Sequence, residues 1–302
     1  MKLSKYEEKQ NKSERTSRNF FILTRILSST FATIITLLSM FWEKLKLDFE
    51  CERLPLKLLT SQWQNGERSK SYVWYRWIIA MFYAFSFINS VISSIRKNET
   101  TIVMFIFLSR WNLLGTFIAT TLGAYLSTRY YYNRSKMEKG NVKKLAFYWF
   151  LYNNSVVIAM VISIVYWTAL SNEHEENDLN NVLMHITNSL VLLVDILIIQ
   201  HPYRFSHIIY PMFCCTLYAL FTLIYPFAGG VDHLGRNFVY PVLDWKTKPR
   251  QSLLVACGSV LSVSIMHIII CIIHMIRVKI FDIFVKSKKM FTDQALPIIH
   301  FK

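Results

Sequence analysis

Seven apolar stretches follow one another along this chain, at Phe20–Trp42, Tyr72–Ile95, Thr101–Ser127, Leu145–Leu170, Leu179–Gln200, His207–Ala228 and Ser252–Ile276. A soluble protein would interrupt such runs with polar residues on a period of about 3.6 or 2, and these runs lack that interruption. Each is long enough to cross a hydrocarbon core of about 30 Å at about 1.5 Å per helical residue. The pattern predicts an all-α, polytopic membrane bundle of six or seven transmembrane helices. A hydrophobic share of 53% agrees with it.

The links between the stretches divide the chain into a leader (1–60) holding one ambiguous apolar helix, a bundle (61–282) and a tail (283–302). They also carry most of the charge, which sums to +15. If six helices cross and both termini share a side, that side holds 26 Lys and Arg and the other holds six. The positive-inside rule then puts both termini in the cytoplasm. If Phe20–Trp42, with Arg25 inside it, crosses as well, the bias weakens to 19 against 12. We take six stretches as spans and leave the first as a seventh span or an interfacial helix; the C-terminus is cytoplasmic in both cases. The basic excess is therefore topology signal and attraction to anionic headgroups, and no nucleic-acid partner is expected.

Of the five cysteines, Cys214, Cys215, Cys257 and Cys271 lie in predicted spans without CxxC spacing, and Cys51 lies outside them. They read as small apolar residues and not as a disulfide frame or metal site. The link from Ser171 to Asp178 gathers Glu173, Glu175, Glu176 and Asp178 around His174. A solvated turn is the plainer reading of that run, with a divalent-cation site as the alternative. Haem would need paired axial ligands, and His207, His267 and His274 have no such spacing. We expect no cofactor and no metal.

Polar residues inside the stretches carry the chemistry. His185, Asn188 and Asp195 share a span; at 100° per residue the latter two stand about 60° and 80° from the first, on one helix face. That face should point into the bundle. Ser109, Arg110 and Asn112 form a second cluster within one turn. A histidine beside a hydroxyl can take its proton as the oxygen attacks an ester carbonyl, and an arginine or amide can steady the oxyanion. The same residue types also serve as hydrogen-bonded glue between membrane helices. If Ser109 and His185 pair, Arg110 points about 100° away from Ser109, toward a lipid carboxylate or a headgroup.

The runs SQWQNGERSKSYVWYRW (Ser61–Trp77), FLSRWNLLG, MHITNSLVLLVDI and especially GGVDHLGRNFVYPVLDW (Gly229–Trp245) resemble the rolling stone family of insect multi-pass membrane proteins. The resemblance runs from about Ser61 to Asp282, and the last run, with Gly229, Gly230, Asp232, Tyr240, Pro241, Asp244 and Trp245, is its most specific signature. It implies a membrane protein associated, in the family's founding member, with myoblast fusion during muscle formation. The plasma membrane is expected rather than the endoplasmic reticulum. The family is in turn distantly similar to the androgen-induced transmembrane proteins, which resemble threonine hydrolases, with a catalytic histidine, acting on fatty acid esters of hydroxy fatty acids. That similarity maps the histidine to His185. It maps the nucleophile to Ser109, after Phe107 and Leu108, where a serine stands in place of threonine. Two expectations follow: a fusion protein, with the lipid bilayer as its surroundings and protein partners unspecified, or an intramembrane hydrolase acting on a lipid ester.

Overall fold

The computed structural model describes residues 57–97, 101–134, 142–170, 179–232 and 234–295. The Phe20–Trp42 stretch and the acidic link with Glu173, Glu175, Glu176 and Asp178 lie outside the described residues. Within them the chain is helical, with one isolated bridge between Ser61 and Ile199. The elements are α1 (Lys70–Arg96), a short α2 (Thr101–Met104), α3 (Leu108–Tyr132), α4 (Val142–Val165), α5 (Leu179–Ile198), α6 (Ile209–Phe227) and α7 (Pro249–Ala295). A π-turn at Tyr166–Leu170 follows α4, and another at Leu183–Thr187 interrupts α5.

Five helices are long and apolar enough to cross a membrane: α1, α4 with the start of its π-turn, α5, α6 with the 3-10 turn before it, and α7 to Val285. The third apolar stretch departs from expectation in two ways. It is not one helix, because the chain breaks between Met104 and Leu108. And α3, although 25 residues long, is not among the five, since its buried face carries Arg110, Asn112, Thr116, Thr120 and Ser127. Those polar side chains are tolerable because α3 packs between α1 and α4. Its exposed residues Trp111, Ile118, Tyr125 and Tyr132 recur every seventh position as a single apolar stripe.

The core is centred on α4, which contacts α3, α5, α6 and α7. Two-thirds of its apolar window (67%) is buried, against 17% for α7, so α4 is enclosed and α7 is peripheral. The 47 residues of α7 extend about 70 Å, more than twice a bilayer core, so the helix continues well beyond it and runs through 283–295.

Ends are tied down by the signature segments. Ser69 caps α1 by accepting from the Tyr72 amide at 3.2 Å. The carbonyls at the end of α5 would be orphaned where the helix stops. There, the Gln62 amide donates to Ile198 O at 2.9 Å, the Ser61 hydroxyl to the same oxygen at 2.9 Å and the Trp63 indole to Leu197 O at 2.7 Å. The loop 229–245 is ordered in the same way. Asp232 accepts from the amides of Leu234 (2.9 Å) and Arg236 (2.8 Å) and from the Arg236 guanidinium (2.6 Å). Gly229 has φ +88°, a conformation that excludes most side chains.

Two polar centres within the helical bundle

The antiparallel order of the helices sorts the buried polar residues into two groups, one at each end. The first lies where α1 and α4 begin and α5 ends, the end bearing Lys70, Lys143 and Lys144, which we term the inner end, and the opposite one the outer end, after the sidedness expected from the charge pattern. Here Arg76 and Asp195 form an ion pair at 2.8 Å with both side chains fully buried. Asp195 also accepts hydroxyl hydrogen bonds from Tyr75 at 2.7 Å and Tyr152 at 2.6 Å. Arg76 donates its other terminal nitrogen to the Tyr148 hydroxyl at 3.0 Å. His201 Nε2 stands 3.1 Å from that hydroxyl and 2.9 Å from the Leu58 carbonyl. Since a carbonyl only accepts, Nε2 carries the proton. Burial, followed by the nearby Arg76 charge, pushes the His201 pKa well below the usual imidazole range, so the ring is neutral.

Arg277 on α7 completes this end. It donates to the carbonyls of Ile196 (2.6 Å), Ile199 and His201 (3.2 Å) and to His274 Nδ1 (2.8 Å), capping α5 where Ile199 leaves helical geometry. Small residues make room for the arrangement. A Cβ on Gly123 of α3 would lie 2.7 Å from the Tyr148 ring, so glycine there lets Tyr148 reach Arg76.

The second centre lies at the opposite end, where α3 and α5 begin. His185, in the π-turn of α5, is buried and stacks face to face on Tyr166 at the π-turn after α4, with centroids 3.7 Å apart and planes 4° apart. π-turns recur at functional sites, and here two are joined by one ring stack. The Ser163 hydroxyl donates to the His185 carbonyl, but His185 Nδ1 has no hydrogen-bond partner among the described residues. Arg110 lies within electrostatic reach of that imidazole. Contrary to the expectation of a side chain aimed at a lipid carboxylate or headgroup, Arg110 is buried and turns to α1, donating to the Ser90 carbonyl (3.2 Å), the Ser90 hydroxyl (3.3 Å) and the Ser94 hydroxyl. Ser109 occupies the first turn of α3, half-buried, with its hydroxyl free of hydrogen bonds among the described residues.

The three residues expected on one face of α5 do all point inward, but they do not act together. The π-turn breaks the 100° phase after His185. Asp195 lies about 15 Å further along the axis, at the inner centre, and so does not orient His185. Asn188 contributes its carbonyl to the Tyr83 hydroxyl at 2.9 Å, while its Oδ1 is unbonded among the described residues. Among the haem candidates, His267 Nε2 lies 3.0 Å from the Arg204 carbonyl, His207 packs against Trp149, and His274 accepts from Arg277. No group of three metal-ligating side chains occurs among the described residues.

The signature loop reaches the outer centre. Tyr240 and Tyr218 both accept from the Leu108 amide, at 3.2 and 3.0 Å, and Tyr218 donates to the Ile106 carbonyl at 2.8 Å. The start of α3, which carries Ser109 and Arg110 and lacks a side-chain cap of its own, is thus capped by tyrosines from the loop and α6. Pro241 opens a 3-10 turn, Asp244 accepts from the Lys246 and Thr247 amides, and the Trp245 indole donates to Thr222 at 3.3 Å.

A bundle of apolar helices with charged groups paired in its interior is the construction of an integral membrane protein. The profile of the family described as Protein rolling stone matches residues 28–300, and the chain belongs to that family. Protein rolling stone of Drosophila melanogaster is 33% identical over 202 residues, covering 63% of this chain and 72% of that protein. No solved structure matches.

Proposed function

We propose that this protein is a six-span component of the plasma membrane with a cytoplasmic C-terminus, acting in cell–cell fusion as its family resemblance implies. The sixth span is α3, whose lipid-facing stripe is apolar and whose polar side is covered by α1 and α4. The observation that carries the reading is the loop 229–245. Its carboxylates are bonded internally, and its tyrosine caps α3, so it offers a fixed shape on the outer face. In a fusion assay of cultured muscle precursor cells depleted of the endogenous protein, wild type restores fusion. Loop variants that reach the surface but remain folded, such as Phe238→Ala, reduce it; unchanged fusion across a scan of exposed loop residues refutes the reading.

A second reading, hydrolysis of a lipid ester, is favoured by His185 Nδ1 and the Ser109 hydroxyl, both without a hydrogen-bond partner among the described residues and at the same end of the bundle. Ser109 Oγ would attack the ester carbonyl as His185 takes its proton. The protonated imidazole then returns that proton to the leaving alkoxide, and water hydrolyses the acyl-serine. Membranes carrying wild type label with a fluorophosphonate probe and those carrying Ser109→Ala do not; absence of labelling in both removes this reading.

A further inference from the structure

The inner centre holds more positive than negative charge. Two guanidiniums, Arg76 and Arg277, are buried, at 0% and 2% exposure, and Asp195 is the carboxylate bonded to either among the described residues. The α5 carbonyls that receive Arg277 offset part of the excess, but a helix C-terminus supplies only about half a unit of negative charge. Uncompensated charge in a buried site is costly, so the excess calls for a counter-charge.

The hydrogen-bond inventory points the same way. Arg76 Nε, Arg277 Nε and the hydroxyls of Tyr72 and Tyr203 are all buried and without partners among the described residues. Tyr72 and Arg76 are buried one turn apart on α1, Arg76 and Arg277 bond the neighbouring residues Asp195 and Ile196, and Tyr203 and Arg277 both meet His274, so the four groups share one end of the bundle. The two Nε–H groups can only donate, and each hydroxyl is able to. A water molecule accepts about two hydrogen bonds and brings no charge; an anion can accept more and neutralises the excess.

We propose that Arg76, Arg277, Tyr72 and Tyr203 form a binding site for one small anionic group at the inner end of the bundle. The occupant is either a dissolved anion of halide or carboxylate size, or one anionic oxygen of an inner-leaflet phospholipid. The site joins α1, the link after α5, and α7, so its occupation fastens the peripheral helix to the core.

The test uses the full-length protein purified in neutral detergent with gluconate, an anion larger than the proposed occupant, as the counter-ion. At constant ionic strength, replacing gluconate by chloride or formate raises the unfolding midpoint along a saturable curve. Tyr203→Phe and Tyr72→Phe, which keep the ring and lose the donor, each weaken the apparent affinity about tenfold or more, as expected for a hydrogen bond to a charged group. Arg277→Gln removes the response. In gluconate, a midpoint raised in phosphatidylglycerol nanodiscs relative to phosphatidylcholine nanodiscs, and lost in Tyr203→Phe, assigns the site to a lipid headgroup. A midpoint insensitive to chloride, formate and anionic lipid overturns the proposal, as does a response that Tyr72→Phe and Tyr203→Phe leave intact.

Discussion

The inner and outer polar centres use similar residues to opposite ends. At the inner end, a carboxylate meets a guanidinium and both are enclosed by tyrosine hydroxyls, so α1, α4 and α5 are joined through charge. At the outer end the guanidinium of Arg110 is bonded to serine oxygens of α1, and the imidazole is held by ring stacking, its Nδ1 without a partner among the described residues. The comparison teaches that a buried charge does not by itself mark an active site. A carboxylate whose oxygens are bonded to a guanidinium and two tyrosine hydroxyls is spent on architecture.

The largest effect should come from breaking the inner pair one-sidedly. Asp195→Ala leaves Arg76 buried without its carboxylate and is expected to cost about 3–5 kcal/mol, measured as loss of the folded species in detergent unfolding. Replacing both partners by Arg76→Met and Asp195→Leu should recover a large part of that loss, because the uncompensated charge is then gone. Equal destabilisation in the single and double variants would break the assignment of the pair as a mutual support.

Next in size is Gly123→Ala, which drives a methyl group into the Tyr148 ring and should cost about 1–3 kcal/mol. Gly123→Ala should cost less in a Tyr148→Leu background, compared with Tyr148→Leu alone, than it does in the wild type. An equal cost in both backgrounds, read from thermal midpoints, would show that the ring is not what the glycine accommodates.

The outer loop answers to pH. Burial alone would raise the Asp232 pKa, but the hydrogen bonds from the amide and guanidinium of Arg236 and from the Leu234 amide outweigh it and hold the carboxyl below the usual carboxylate range. Its stabilisation is therefore complete above the unfolded carboxylate pKa of about 4 and is lost as pH falls through the lower folded value. Hydrogen exchange of the loop amides should rise over that acidic window in wild type, relative to reference amides in the helical core. Asp232→Asn should show fast loop exchange at every pH, and a wild type without the transition would contradict the bonded carboxylate.

The smallest stability effect should come from the outer centre. Losing one ring stack in His185→Ala is expected to cost about 1 kcal/mol, with insertion preserved because the apolar bulk of α5 drives it. Any ester hydrolysis should vanish in the same variant; persistence of hydrolysis removes His185 from the chemistry.

The sequence and the structure part company in instructive places. The apolar runs made α1, α4, α5, α6 and most of α7 legible, and Asp195 was visible as a charge needing a partner. Its partner was not. Arg76 sits in KSYVWYRW, where a basic residue among aromatics reads as an interfacial anchor. The available signal was depth: Arg76 stands six residues into α1 and Asp195 three residues before the end of the antiparallel α5, so both lie at one level. The π-turn was illegible because periodicity arguments assume 3.6 residues per turn, and it is what separates His185 from Asp195 in angle as well as depth. The role of Tyr240 in capping α3 was also hidden, since it links residues 132 positions apart.

The most direct test of the division between the two centres is the unfolding midpoint of Asp195→Asn beside that of His185→Gln, in the same detergent and buffer. A large fall is predicted for Asp195→Asn, which leaves buried Arg76 without its carboxylate, and a small one for His185→Gln. A fall in His185→Gln equal to or greater than that in Asp195→Asn would contradict it.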